Sequence, residues 1–419
     1  MKQKTRSRYL LSWLKACCPC AATVRPAALI FSALFLSCCG ETEKQPRIDK
    51  YKIELSEAVK ESTVIDKIPA IGSGLALKEG NSGSSAVFYS VADRRGRIAV
   101  TESSLPFFAE ITLKSRNAFL TGLQAIYGLK NSDLEGIARD QDGKLWFCDE
   151  ARQALYSVDP ESGRMLKKLR AGKELPKYLK RIFENKGFEG VAVSPSNRLV
   201  TIMQGPLKVH GTGYAPFVRL ITYDLKENSY KSYLYPINTD DYRYPSAYRI
   251  SAIEAVSDSL FIALERGEAP SGYNNKIFTV DISETEPLPD KSKLKQLPEY
   301  QYFHNKDTFD EKYKDSFVKK RELIDLRNYG WKYEKSEGLA VLPDHKRIAV
   351  INDYEAHSPE CLKNNGCAPE LWIVELPKPL ITKRRFLFWI LLAGFFIAAA
   401  LAGLYLKKGV RGAAKTGEV

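Results

Sequence analysis

LEGIARDQDGKLWFCDE, residues 134–150, contains the unit from which the chain is built. A short apolar run opens on Glu135-Gly136, breaks at Asp140-Gln141-Asp142-Gly143, and resumes as a second apolar run ending in Asp149-Glu150. Turn-forming residues between two β-prone runs predict a β-hairpin. GFEGVAVSPSNRLVTIMQGPL (187–207) and SEGLAVLPDHKRIAVINDYE (336–355) repeat the phrase, each with a basic residue after the turn: Lys144, Arg198 and Lys346 in the three copies. ISAIEAVSDSLFIALERGE (250–268) is a degenerate fourth copy in which Glu254 stands for the opening Glu and the turn is shorter. Gly74-Leu75-Ala76, leading through Val87–Val91 to Asp93, matches the unit with its Glu missing.

In an antiparallel hairpin the first residue of one strand lies beside the last residue of the next. Each repeat should therefore pair two polar heads at its open end: Glu135 with Asp149 and Glu150, Glu189 with Gln204, Glu254 with Glu265, and Glu337 with Asn352 and Asp353. The intervals between copies leave room for a four-stranded unit of roughly 40–50 residues plus insertions. Radial repetition of such units is a β-propeller, whereas a parallel β-helix would need a shorter and more regular period. First strands of all blades would then surround one axis, and the polar heads would converge on one end of a central channel. Phe217–Tyr223, Lys276–Asp281 and Trp372–Val374 fit outer strands, and Glu284–Gln301, rich in Pro, Lys and Glu, fits a surface insertion.

The net charge of +13 would ordinarily raise nucleic acid as a partner. The excess is at the two ends, however, and residues 41–382 are close to neutral, so the domain has no electrostatic reason to bind nucleic acid. Phe386–Leu406 runs without a charge and is long enough to cross a hydrocarbon core of about 30 Å as a helix. Near the N-terminus a basic region precedes the apolar stretch Pro26–Ser37 and then Cys38-Cys39-Gly40, the build of a secretory or lipoprotein-like leader; an uncleaved anchor fits the same residues. The expected order is a leader (1–40), a spacer (41–65), the propeller (66–376), a transmembrane helix (386–406) and a short basic tail (407–419). The propeller would then lie on the exported side of a membrane, in the cell envelope. Cys361 and Cys367 bracket a polar turn and could form a small-loop disulfide or remain free thiols.

The repeated phrases resemble the phytase-like family described by an esterase-like activity of phytase, over about residues 66–376. The resemblance is carried by the four stretches quoted above and, more loosely, by VFYSVADRRG (87–96). It implies a propeller of six blades and hydrolysis of phosphate esters or other esters, with calcium as an accompanying cofactor.

Carboxylates and amides converging on one channel would repel one another without a counter-charge. A hard divalent cation with six to eight oxygen ligands resolves this, which makes Glu135, Glu189, Glu254, Glu337, Asn352, Asp353, Asp149, Gln204 and Asp93 candidate ligands of Ca²⁺. Glu150 and Glu265 are candidate general bases. Arg94, Arg266 and Arg152 follow the polar strand ends and are suited to hold an anionic ester or phosphate ester. A propeller of this kind could instead bind a ligand or a protein partner without catalysis. None of His210, His304, His345 and His357 occupies a repeated position, and no G-x-S-x-G, Walker or dinucleotide motif occurs. Phytate itself fits poorly, because a site for many phosphates should be strongly basic.

Overall fold

The computed structural model describes residues 45–381 apart from 63–64, 66, 81–84, 94–97, 101–102, 130, 290–292 and 356–367. The fold is all-β, with β1 (Arg47–Leu55) and the short helix α1 (Glu57–Ser62) ahead of a series of four-stranded sheets. The first sheet contains β2 (Gly74–Gly80), β3 (Ser85–Val91), β6 (Phe107–Lys114) and β7 (Asn117–Ala125), with the small ladder of β4 (Ile98–Val100) and β5 (Ser103–Leu105) between β3 and β6. The second is β8 (Leu134–Arg139), β9 (Leu145–Asp149), β10 (Ala154–Val158) and β11 (Met165–Arg170). The third is β12 (Phe188–Val193), β13 (Arg198–Met203), β14 (Phe217–Asp224) and β15 (Ser229–Pro236). The fourth is β16 (Tyr248–Ala255), β17 (Leu260–Ala269), β18 (Gly272–Asp281) and β19 (Lys319–Asp325). The fifth joins β20 (Ser336–Val341), β21 (Arg347–Asn352) and β22 (Glu370–Glu375) to β1, which pairs antiparallel with β22 from Arg47↔Glu375 to Lys52↔Glu370.

The first strands touch in sequence: β2 meets β8, β8 meets β12, β12 meets β16, β16 meets β20, and β20 returns to β2. This closed ring is the propeller axis. Among the described residues it closes with five sheets, not with the six that the family resemblance implies. The glycine after each repeated Glu explains how the strands come so close. A Cβ on Gly136 would stand 3.0 Å from Glu189 O, and one on Gly190 would stand 2.7 Å from Ile253 N. Similarly, a Cβ on Gly74 would stand 2.9 Å from Ile137 N. The Gly of the Glu-Gly phrase is therefore required by ring packing.

The core is divided into wedges between neighbouring blades. Ala76, Tyr89 and Phe108 of the first sheet pack with Ile137, Phe147 and Tyr156 of the second. Leu155 and Trp146 meet Val191 and Ile221 at the next interface, and Val200 and Tyr235 meet Ile253 and Phe261 at the one after. Inner and middle strands such as β9, β10 and β13 thus bury both faces, which is why they read as continuous apolar runs rather than strict alternation, while the outer strands β11 and β19 keep exposed charged residues.

Two further expectations change. Residues 47–55, expected as a spacer, form β1 and complete the last blade. β1 also pairs in parallel with β7, at Ile53↔Ala118 through Leu55↔Leu120, so one strand links the first and last blades. The stretch Glu284–Gln301 is not a loose surface insertion throughout. It leads into α2 (Pro298–His304), followed by α3 (Lys306–Tyr313), and Glu299 is buried against Arg219 of β14 with bonds of 2.8 and 2.7 Å. The leader, the apolar segment 386–406, and Cys361 and Cys367 lie outside the described residues. Among the described residues no helix is long and apolar enough to cross a membrane.

Candidate functional site

Strand register explains how the repeated glutamates are aimed. Leu134 pairs with Asp149 and Gly136 with Cys148, which leaves Glu135 as the extra residue of a β-bulge. Glu189 is bulged between the pairs Phe188↔Met203 and Gly190↔Ile202, and Glu337 between Ser336↔Asn352 and Gly338↔Ile351. A bulge takes its residue out of the ladder and re-aims its side chain, here at the channel mouth.

In the fourth blade the bulged residue is Ser251, between Ile250↔Glu265 and Ala252↔Leu264. Glu254 is opposite Ile262, three residues further along the strand, and is not paired with Glu265. Counted from the ring residue, its counterparts in the other blades are Ala76, Ala138, Ala192 and Ala340. The spelling Glu-Ala-Val imitates Glu-Gly-Val, but backbone pairing places Ser251 at the mouth. Glu254 makes no hydrogen bond or ion pair among the described residues, and burial alone raises its pKa to about 8.

Asp133, Glu135 and Glu150 each offer a carboxylate oxygen, and these oxygens lie within 4.8 Å of one another. Oxygens bound to one Ca²⁺ at about 2.4 Å can be at most about 4.8 Å apart, so the three fit a common cation. Asp133 and Glu150 are buried, while Glu135 keeps part of its surface open. Glu150 is held by Gly187, whose N–H donates to Oε1 at 2.9 Å, and by its own N–H, which donates to Asp133 O at 2.9 Å.

Further carboxylates surround this trio. Gln204 donates to Glu189 Oε1, while Glu189 Oε2 is buried without a hydrogen-bond partner among the described residues. Arg266 donates through Nη2 to Glu337 and through Nε to Ser251 Oγ at 2.7 Å. Lys335 bridges Asp353, at 2.9 Å, and Glu355. Ser73, the first blade's counterpart of Ser251, donates to Asp353 Oδ1 at 3.5 Å and accepts from the Asp93 N–H at 3.0 Å.

The crowding shows in the proton affinities. Burial, then Glu189 and Glu337, push the Glu135 carboxyl well above the usual range. Burial, then Glu150 and Glu337, do the same to Glu189. Asp353 is raised to about 7 by burial and by Glu337, against the pull of Lys335. Lys186, whose Nζ donates to Gln204 Oε1 at 2.5 Å, is pushed down to about 6 by burial and by Arg249. A cation among these carboxylates would reverse the carboxylate shifts by favouring the ionised forms.

Three candidates have structural roles. Glu265 lies on the opposite sheet face from its neighbour Arg266 and accepts from Tyr235 Oη at 2.6 Å, Tyr242 Oη at 2.9 Å and Lys320 Nζ at 2.5 Å. With both oxygens engaged and its surface buried, it is not available as a base. Asp149 accepts from the N–H groups of Asp133 and Arg152, at 3.3 and 3.1 Å, and from Tyr156 Oη at 3.2 Å; it organises the strand end. Asn352 Oδ1 accepts the Glu370 N–H at 2.7 Å. Arg152 donates to Asn131 O and Asp149, and Arg94 lies outside the described residues. Asp133, Lys186 and Arg249 were not singled out from the sequence. Only Asp133 had a signal, its place two residues before the repeated Glu.

The family model described as esterase-like activity of phytase matches residues 70–354. The chain belongs to this phytase-like family. Among solved structures, this phytase-like chain resembles a luciferin-regenerating enzyme at 12% identity and a TM-score of 0.36, covering 79% of this chain and 95% of that one. It also resembles a virginiamycin B lyase from Staphylococcus aureus at 7% identity and a TM-score of 0.32, covering 79% and 100%. No curated protein gives a match.

Proposed function

We propose that this phytase-like propeller is a cation-assisted hydrolase of anionic esters, phosphate esters first among them, acting at the channel mouth. The observation that carries the proposal is the convergence of the Asp133, Glu135 and Glu150 oxygens within 4.8 Å, beside the guanidinium of Arg266. Calcium is the cation we assign, since every donor is a hard oxygen and no thiol or imidazole is among them. When bound, such a cation supplies Lewis-acid polarisation of an ester oxygen and acidifies a water.

The remaining work falls to the chain's own side chains. Glu135 is the partly open member of the trio and meets the substrate first. Arg266 carries five N–H donors, of which, among the described residues, Ser251 and Glu337 take one each; the others we assign to the anionic oxygens. Glu189 Oε2, buried and without a hydrogen-bond partner among the described residues, is the group we assign to accept a proton from the attacking water once a bound cation keeps its carboxyl ionised.

From the sequence, we further propose that the propeller works on the exported side of a membrane, anchored by residues 386–406. The test is phosphate release by purified full-length protein from a panel of phosphate monoesters, with calcium and with chelator. Calcium-dependent release that falls at least a hundredfold in Glu135→Gln supports the proposal. Absence of release from folded protein, unaffected by calcium, would sink it and leave a propeller that binds a ligand or protein without turnover.

A further inference from the structure

The two ends of each inner hairpin belong to different faces of the propeller. Ser336 and Asn352, at the start of β20 and the end of β21, pair at the mouth, and the turn between these strands, Leu342 to Lys346, is at the opposite end. β22 runs from the mouth towards that turn, since Leu371 pairs with Ile351 and Glu375 with Arg347. The chain beyond β22 stays on the turn: the Leu376 N–H donates to Lys346 O at 2.8 Å and the Leu380 N–H to His345 O at 2.7 Å. Leu380 and Ile381 pack against the wedge between the fourth and fifth blades. β1 also begins at this face, where Arg47 pairs with Glu375.

Ile381 is therefore fixed at the turn face, and Phe386 opens the uncharged run 386–406 read above as a membrane anchor. Five residues of chain reach at most about 18 Å. β20, six residues long, spans about 20 Å from mouth to turn. A tether this short cannot carry the anchor round the blade, so the propeller cannot turn its mouth to the lipid. Lys383, Arg384 and Arg385 belong to the tether and supply the charge that anionic headgroups attract. The turns at the same face carry charges that are already paired: Lys346 with Glu375 at 2.6 Å, Arg347 with Asp344 at 2.6 Å, and Arg198 with Asp258 at 3.9 Å. Such a face suits hydrated headgroups and not the hydrocarbon beneath them.

We propose that the turn face of the propeller is its membrane-facing surface, with an anionic lipid bilayer as the partner, and that the mouth opens away from that bilayer. The inference rests on the anchoring by residues 386–406 proposed above and does not depend on hydrolysis. Its consequence for the hydrolase reading is the source of the substrate. The mouth stands off by the height of a blade, so an ester that reaches Arg266 and the acidic trio arrives from water. A phospholipid of the anchoring bilayer does not reach them.

The test is energy transfer in vesicles of phosphatidylcholine and phosphatidylglycerol that carry full-length protein and an acceptor dye on the lipid headgroups. A donor dye is attached through an unnatural side chain at Asp142, exposed in the β8–β9 turn, or at Ala151, exposed beyond Glu150 at the mouth. The two positions flank opposite ends of β9, so both report on one blade. Transfer should be at least twofold more efficient from Asp142 than from Ala151. Equal transfer, or more from Ala151, would overturn the orientation. Protein that does not float with the vesicles would overturn the anchoring, and the inference with it. Phosphatidic acid in the same bilayer should not be cleaved, and phosphate released from it as fast as from a water-soluble monoester would overturn the stand-off. Absence of release from both would count against the hydrolase reading alone, since transfer is measured without turnover.

Discussion

Glu254 shows how one side chain departs from the pattern around it. Four blades have alanine at its level of the inner strand, and it makes no polar contact among the described residues. Its carboxyl, raised to about 8 by burial, holds a proton in the folded chain that an unfolded Glu has lost above about pH 4.5. The folded state therefore binds more protons across this window. Its contribution to stability is fully present below about pH 4.5, falls as pH rises and is lost above about pH 8. The stability of wild type should decline from pH 5 to pH 9 more steeply than that of Glu254→Gln, by about 4 kcal/mol at most. Parallel curves for the two proteins would show that the carboxyl is solvated. Glu135 and Glu189 stand apart from it, because their shifts include neighbouring carboxylates as well as burial. Their glutamates were legible in the sequence as a repeated phrase, whereas the bulges that aim them were not. A bulge is one residue of register, and nothing in a single strand's composition specifies its partner's register.

At the scale of elements, the helical insertion between β18 and β19 depends on one buried ion pair. Arg219 on β14 meets Glu299 on α2 through two hydrogen bonds, and both side chains are almost fully buried. Leu297 beside it joins the wedge between the second and third blades, and Phe309 and Tyr313 of α3 pack on Phe217 and Leu234. Removing one partner leaves a buried charge uncompensated, at a cost of about 3–5 kcal/mol. Arg219→Ala should lower the urea midpoint accordingly and expose the amides of α2 and α3 to hydrogen exchange. The double change Arg219→Met with Glu299→Leu should recover most of the loss, because two apolar groups leave nothing unpaired. A loss no larger than that at an exposed pair such as Lys306–Asp310 would show that the insertion does not depend on this contact. Composition alone made this stretch look like exposed loop. Its Pro, Lys and Glu are plentiful, and the few residues that anchor it are recognisable only from what they touch.

For the whole molecule, closure is the decisive feature. β1 comes first in the described chain, yet it completes the last blade through β22 and reaches the first through β7. Deleting residues 45–55 removes both connections. The truncated protein should unfold over a broader denaturant range and at a lower midpoint, with the β20–β22 sheet exchanging its amide hydrogens first. A transition as sharp as that of the full chain would show that the ring of inner strands is sufficient by itself. The expected orientation can be checked at the same scale, by protease added to membrane vesicles of known sidedness that carry the full-length protein. Digestion of the propeller would support an exported domain, and full protection would place it on the inner side.

The sequence by itself determined the repeating hairpin, the all-β propeller, the family, and the gathering of acidic strand ends at one mouth. All of these follow from local patterns, apolar runs broken by turn-formers and a phrase recurring along the chain. Only the tertiary structure decided that the ring closes with five blades, that Ser251 takes the place expected for Glu254, that Glu265 faces away, and that Asp133, Lys186 and Arg249 join the site. Each of these depends on strand register or on contact between blades distant in sequence. Such contacts are selected by packing and charge in the assembled ring, which the sequence of a single strand does not record.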